Sequence, residues 1–153
     1  MKLFVLAAIS VLLVFSGCKK DDDSEDNAST IFTATLSCNI DGVSYSVTPM
    51  GLMDEDELTF GGDNSVGILD FTLEKNITAG TYTIESGSAN SFSWMPKATY
   101  YTYWPRPGTL IVTSHDMVNH KIEGTFSGTM KSINPPDVAI TNGVFKVSYT
   151  YLP

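Results

Sequence analysis

The chain has 153 residues, a length that fits one folded domain and leaves no room for two independent cores. Apolar residues make up 42% and charged residues 17%, a composition that excludes disorder throughout. With 9 Lys and Arg against 17 Asp and Glu the formal charge is −8, so the chain lacks the basic surface that neutralises phosphate backbones and no nucleic-acid partner is expected.

Lys2 precedes an apolar run from Leu3 to Phe15, and the small residues Ser16 and Gly17 lead into Cys18. Charge, apolar core and small residues in that order predict a signal peptide over residues 1–17, shorter than the roughly 20 apolar residues of a spanning helix. Phe15-Ser16-Gly17-Cys18 resembles a bacterial lipobox, with Phe15 where leucine is usual. The resemblance implies that the Cys18 thiol takes a diacylglyceryl group and that cleavage exposes its amine for a palmitate-type chain. Two or three acyl chains hold a protein on a membrane where one does not. The competing reading is a secreted protein in which Cys18 is incidental.

Residues 18–30 carry Lys19-Lys20, then Asp21-Asp22-Asp23, and no large apolar side chain. Nothing there offsets the entropy of ordering, so the segment is predicted to be a solvated acidic tether. Its lysine-then-acid order resembles the export signal of surface-exposed Bacteroidetes lipoproteins, which implies the outer leaflet of the outer membrane. Once Cys18 is lipidated, Cys38 has no partner within the chain and is expected to be a buried free thiol.

Residues 31–153 read as one all-β domain. From Ile31 to Ile40 apolar and polar residues alternate, and Asp41-Gly42 is a preferred type I′ pair. A two-residue turn there sets Ile40 opposite Val43, Cys38 opposite Tyr45, Leu36 opposite Val47 and Ala34 opposite Pro49. The acidic stretch Met50 to Asp56 reads as a loop, followed by a short strand Leu58 to Gly62. Val66 to Glu74 places Leu69, Phe71 and Leu73 on one face, and Thr81 to Glu85 starts another strand. An aromatic section, Phe92-Ser93-Trp94 and Thr99 to Trp104, is closed by Pro105-Arg106-Pro107-Gly108. Thr109 to Thr113 and His120 to Ser132 are further strands around a loop Ser114 to Asn119. In the second of these, Gly124 and Gly128 share a face with Ile122, Phe126 and Met130, which predicts close approach or a bend. Val138 to Tyr151 reads either as a hairpin about Asn142-Gly143 or as one long bulged strand, with Phe145, Val147, Tyr149 and Tyr151 inward. About nine short strands without helix predict a single antiparallel β-sandwich or open barrel, with two-sheet packing preferred.

The segments Asn39 to Val43, Ala79 to Ile84, Ile111 to Asp116, Ile122 to Gly128 and Val138 to Phe145 are similar, in their order, to a family of small uncharacterised Bacteroidetes lipoproteins. The resemblance implies one all-β domain behind a lipid anchor. It implies no activity and no site residues.

No catalytic residue is assigned. Gly-x-Ser-x-Gly is absent, and a Ser-His-Asp set would have to use His115 or His120 on a predicted loop. His115, Asp116 and His120 offer a nitrogen and carboxylate set to Zn²⁺, but their spacing matches no established metal motif. Asp54 to Glu57, with Asp63 and Asn64, offers oxygens to Ca²⁺ but lacks the glycine and distal glutamate of an EF-hand loop. The expectation is therefore no metal and no cofactor. The aromatic residues Trp94, Tyr100 and Trp104 are the candidate ligand platform, since exposed rings among polar groups suit the apolar faces of sugars. Alternation puts Tyr101 and Tyr103 on one face and Tyr100 and Trp104 on the other, so one pair belongs to the core. The function expected is non-catalytic: a lipid-anchored outer-membrane protein that binds a glycan or an outer-membrane partner. The alternatives are a purely structural envelope protein and, behind it, a metal-dependent hydrolase.

Overall fold

A computed structural model of the chain describes residues 32–85, 87–131, 133 and 136–152. The signal segment of residues 1–17, Cys18 and the tether of residues 18–30 lie outside the described residues.

β1 (Thr35–Ile40) and β2 (Val43–Val47) form the hairpin that Asp41-Gly42 dictates. Both turn residues have positive φ, 48° and 79°, and the register is Ile40 to Val43, Cys38 to Tyr45 and Leu36 to Val47. Pairing stops before the expected contact of Ala34 with Pro49. Cys38 is a buried free cysteine, and burial pushes its thiol up to about 12.

The segment read as a loop after Pro49 is instead β3 (Met50–Met53), and the acidic turn is confined to the residues that follow it. A four-residue strand with glycine at an inward position shows too little alternation to be read locally. Its partners supply what its sequence lacks. It runs antiparallel to β4 (Glu57–Asp63), with Leu58 opposite Met53, and parallel to the end of β10 (Val138–Tyr151), with Gly51 opposite Tyr149.

β5 (Gly67–Glu74), β6 (Gly80–Ile84), β7 (Ser91–Pro96), β8 (Trp104–Asp116) and β9 (Lys121–Lys131) complete ten strands among the described residues. The order is β6-β8-β9-β10-β3-β4-β5-β7, with β1 and β2 attached to β10, and every ladder except β10–β3 is antiparallel. A bridge between Trp94 of β7 and Tyr103, with hydrogen bonds of 3.0 and 2.8 Å, brings the far edge back to β8. The two layers preferred from sequence are thus joined into one nearly closed, barrel-like sheet, the open-barrel form of the expected class. Closure removes strand edges that would otherwise present unpaired backbone groups.

Phe71 of β5 stands near the centre of the interior. Its ring lies 4.6 Å from Phe60, 4.9 Å from Phe126, 5.4 Å from Phe92 and 5.8 Å from Phe145. Burying each such ring contributes about 1.5–3 kcal/mol, and the stacked and edge contacts add about 0.5–1.5 kcal/mol per pair. Gly124 makes room for the Phe145 ring and Gly128 meets Gly108, the close approach their shared face predicts.

Two further expectations change, and one open alternative is decided. β8 continues, with a bulge, through the Pro105 to Gly108 segment read as a terminator, and runs on to Asp116. The C-terminal stretch is one long strand with a bulge between Ile140 and Gly143, where Asn142 has φ 54°. The inward face of β10 ends at Tyr149, because Tyr151 emerges beneath the Lys75 ammonium, 5.1 Å from its ring centre.

Candidate functional site

β8 gives the edge opposite β9 to two different partners. Tyr103, just before the strand, bridges to β7, and Gly108 to Val112 pair with β6. Between them, among the described residues, no strand pairs with that edge of Trp104 to Pro107. Two of those four residues are prolines, which have no N–H to leave unsatisfied, so this is where an open edge costs least. On the β9 side the register slips between Pro105 and Gly108, a bulge that leaves Arg106 and Pro107 exposed.

A cleft of about 270 Å³ occupies the gap. Buried Ile84 and Pro105 line it beside exposed Trp104, Arg106 and Glu85 and the hydroxyls of Ser88 and Ser91. Its turn is closed by the Glu85 N–H donating to Ser88 Oγ at 2.9 Å and the Ser88 N–H donating to the Glu85 carbonyl at 3.1 Å. Arg106 is the chain's one arginine. Among the described residues the ion pairs join Lys97 to Asp63, Lys131 to Asp137 and Lys146 to Glu123, and Arg106 takes part in none. Its planar guanidinium carries five N–H donors and no acceptor.

Of the three aromatic residues singled out in the sequence, only Trp104, 44% exposed, lines this cleft. Trp94 is 2% exposed, with its ring edge-on to Tyr45 at 5.3 Å and packed over Gly67, so it belongs to the core and not to a platform. It shares the inward face of β7 with Phe92, two positions before it. Tyr100 is 67% exposed in the turn after Pro96, with φ 59°, and does not line the cleft. Sequence reasoning missed Arg106 and Glu85. The signal available was the single arginine held between two prolines.

The histidines do other work. His115 Nδ1 donates to the Ile77 carbonyl at 2.8 Å, and its Nε2 accepts from the Tyr149 hydroxyl at 2.8 Å. With both ring nitrogens engaged, His115 ties β8 to β10 and to the turn before β6. His120 stacks on the Tyr149 ring, 5.4 Å between ring centres. Asp116 Oδ1 accepts from the N–H groups of Val118 and Asn119, which together with the Asn119 side chain holds its carboxyl below the usual range. Among the described residues no three metal-ligating side chains converge.

The acidic turn is likewise self-contained. Asp54 Oδ1 accepts from the Asp56 and Glu57 N–H groups at 2.9 and 2.8 Å, which lowers its proton affinity. Asp63 is bound to Lys97, and Asn64 Oδ1 caps the Val66 N–H at 2.8 Å. A wider depression of about 600 Å³ covers the outer face of β3, β4 and β5, between Met50, Leu52 and Ile68 and over Gly61 and Gly62. Asp70 there has its carboxyl raised by burial and by nearby Asp63. It offers acceptors and apolar surface but no donor fork.

Fold and cleft together define a small all-β domain with a barrel-like interior and one mixed aromatic and charged cleft at a strand seam. The chain belongs to the family described as Domain of unknown function (DUF6252), whose model matches residues 33–147 and so takes in β1 through most of β10. No curated protein and no solved structure matches it.

Proposed function

We propose that the chain is a non-catalytic cell-envelope lipoprotein, anchored in the outer membrane through Cys18 and exposed at the cell surface, whose β domain binds an extracellular glycan at the Trp104 cleft. One observation carries the binding reading: an exposed indole and the chain's only arginine, free of any ion pair among the described residues, share a concave site with a carboxylate and two hydroxyls. Binding sites combine apolar and aromatic lining with a few converging polar groups in this way. The anchor is supported by the Phe15-Ser16-Gly17-Cys18 pattern and the tether by residues 18–30.

Two experiments test the two halves. Cells making the chain are labelled with radioactive palmitate; label in the membrane fraction that disappears in Cys18→Ala is the expected result, and a Cys18→Ala chain that keeps its label and membrane partition refutes the anchor. Protease added to the intact cells should digest the domain, whereas protection until the outer membrane is opened would place it on the periplasmic leaflet.

A further inference from the structure

We infer that the saccharide taken by the Trp104 cleft is uncharged and is held through one pair of adjacent hydroxyls, an inference that rests on the glycan reading above. The cleft is lined by two charged side chains of opposite sign, Arg106 and Glu85. Neither is in an ion pair among the described residues, so they are not within 4 Å of each other's charged atoms. A guanidinium only donates hydrogen bonds and a carboxylate only accepts them. A vicinal diol does both, so one sugar edge satisfies the two groups at once.

A charged sugar satisfies only one of them. A uronate that reaches Arg106 brings a carboxylate near Glu85, and an amino-sugar cation that reaches Glu85 brings its charge near Arg106. Like charges brought into one cleft disfavour the complex. The formal charge of −8 adds to the case against anionic sugars only, because it slows the approach of polyanions up to about a Debye length, roughly 8 Å at physiological ionic strength. The indole of Trp104 meets the remaining demand: a pyranose face of C–H groups carries slight positive charge, and an aromatic face carries the opposite sign. A volume of about 270 Å³ lies just under the common range of about 300–1,000 Å³ for small-molecule sites, which suits one ring of a longer chain.

The test uses the detergent-solubilised full chain on an array that carries neutral hexose and pentose oligosaccharides beside uronic-acid and amino-sugar oligosaccharides. Retention of neutral glycans, weakened about tenfold or more in Trp104→Ala and several-fold in Arg106→Ala and in Glu85→Ala, is the expected result. All three side chains are exposed, and unchanged melting of each variant shows that the fold persists. Retention of uronic-acid or amino-sugar glycans in preference to neutral ones, with the same dependence on Trp104, overturns the charge inference and leaves the glycan reading standing. No Trp104-dependent retention of any glycan overturns both.

Discussion

β8 and β10 are the longest strands, 13 and 14 residues, and each divides one edge between two partners. On β10 the seam is shut. β1 pairs with Ile140 to Lys146 and β3 with Tyr149 to Tyr151, and Gly51 of β3 lies so close to the stretch of β10 at their junction that a side-chain carbon there would sit 2.8 Å from Tyr149 Cβ and 2.9 Å from Val147 Cγ1. On β8 the seam stays open between Tyr103 and Gly108, and the cleft fills it. The same topological device yields a stabilising joint where glycine lets two backbones meet, and a site where prolines make an unpartnered edge tolerable.

If the comparison is right, substitutions at the shut seam act on stability and those at the open seam do not. Gly51→Ala inserts a methyl group against β10 and is expected to cost about 1–3 kcal/mol, read as a lower urea midpoint with unchanged slope. A midpoint equal to the parent's would show that the seam has slack. His115→Phe keeps the ring but leaves the Tyr149 hydroxyl and the Ile77 carbonyl without a partner beside that joint, for about 1–2 kcal/mol. Thermal melts that coincide with the parent would remove His115 from the joint's support.

Acid sharpens the same contrast at the β8–β9 turn. The Asp116 carboxyl is held below its ordinary value by its bonds to Asn119 and Val118, so the folded chain binds that proton less readily than the unfolded one. Its contribution is present in full above the unfolded value of about 4 and is lost as pH falls through the lower folded value. Asp116→Asn is expected to flatten stability against pH in that acid range alone; an unchanged acid limb would mean that the turn does not contribute. Smallest of all is Trp104→Ala, expected to move stability by less than about 0.5 kcal/mol, because its exposed ring supports no core contact that the fold needs. A loss above about 1 kcal/mol would mean that the open seam is structural after all.

How much of this was legible depended on how local the cause was. The Asp41-Gly42 hairpin, its register, the inward run Leu69-Phe71-Leu73 and the buried Cys38 follow from turn chemistry and a period of two, and all are observed. The parity of the aromatic run was right only at its end: Tyr103 is buried and Trp104 exposed, but Tyr101, expected on the face of Tyr103, is 48% exposed, because residues 100–102 are not in a strand and alternation does not reach them. Trp94 was misplaced although Phe92, two positions before it, shares its inward face; grouping the rings by composition overrode the alternation of Phe92-Ser93-Trp94. Arg106 escaped notice because a single charge between prolines reads as the end of a strand, and only the bulge shows that the strand continues.

By itself the sequence determined the class of fold, the pairs of residues that share a face and the tight turns, because these depend on neighbours two to four positions apart. The tertiary structure alone decided that Met50 to Met53 joins β10 in parallel, that Trp94 meets Tyr103 and closes the sheet, and that Tyr149 packs against both histidines. Those contacts join residues far apart in the chain. Their stabilisation comes from burial and backbone pairing that exist only once the other strands are in place, so no local pattern carries them.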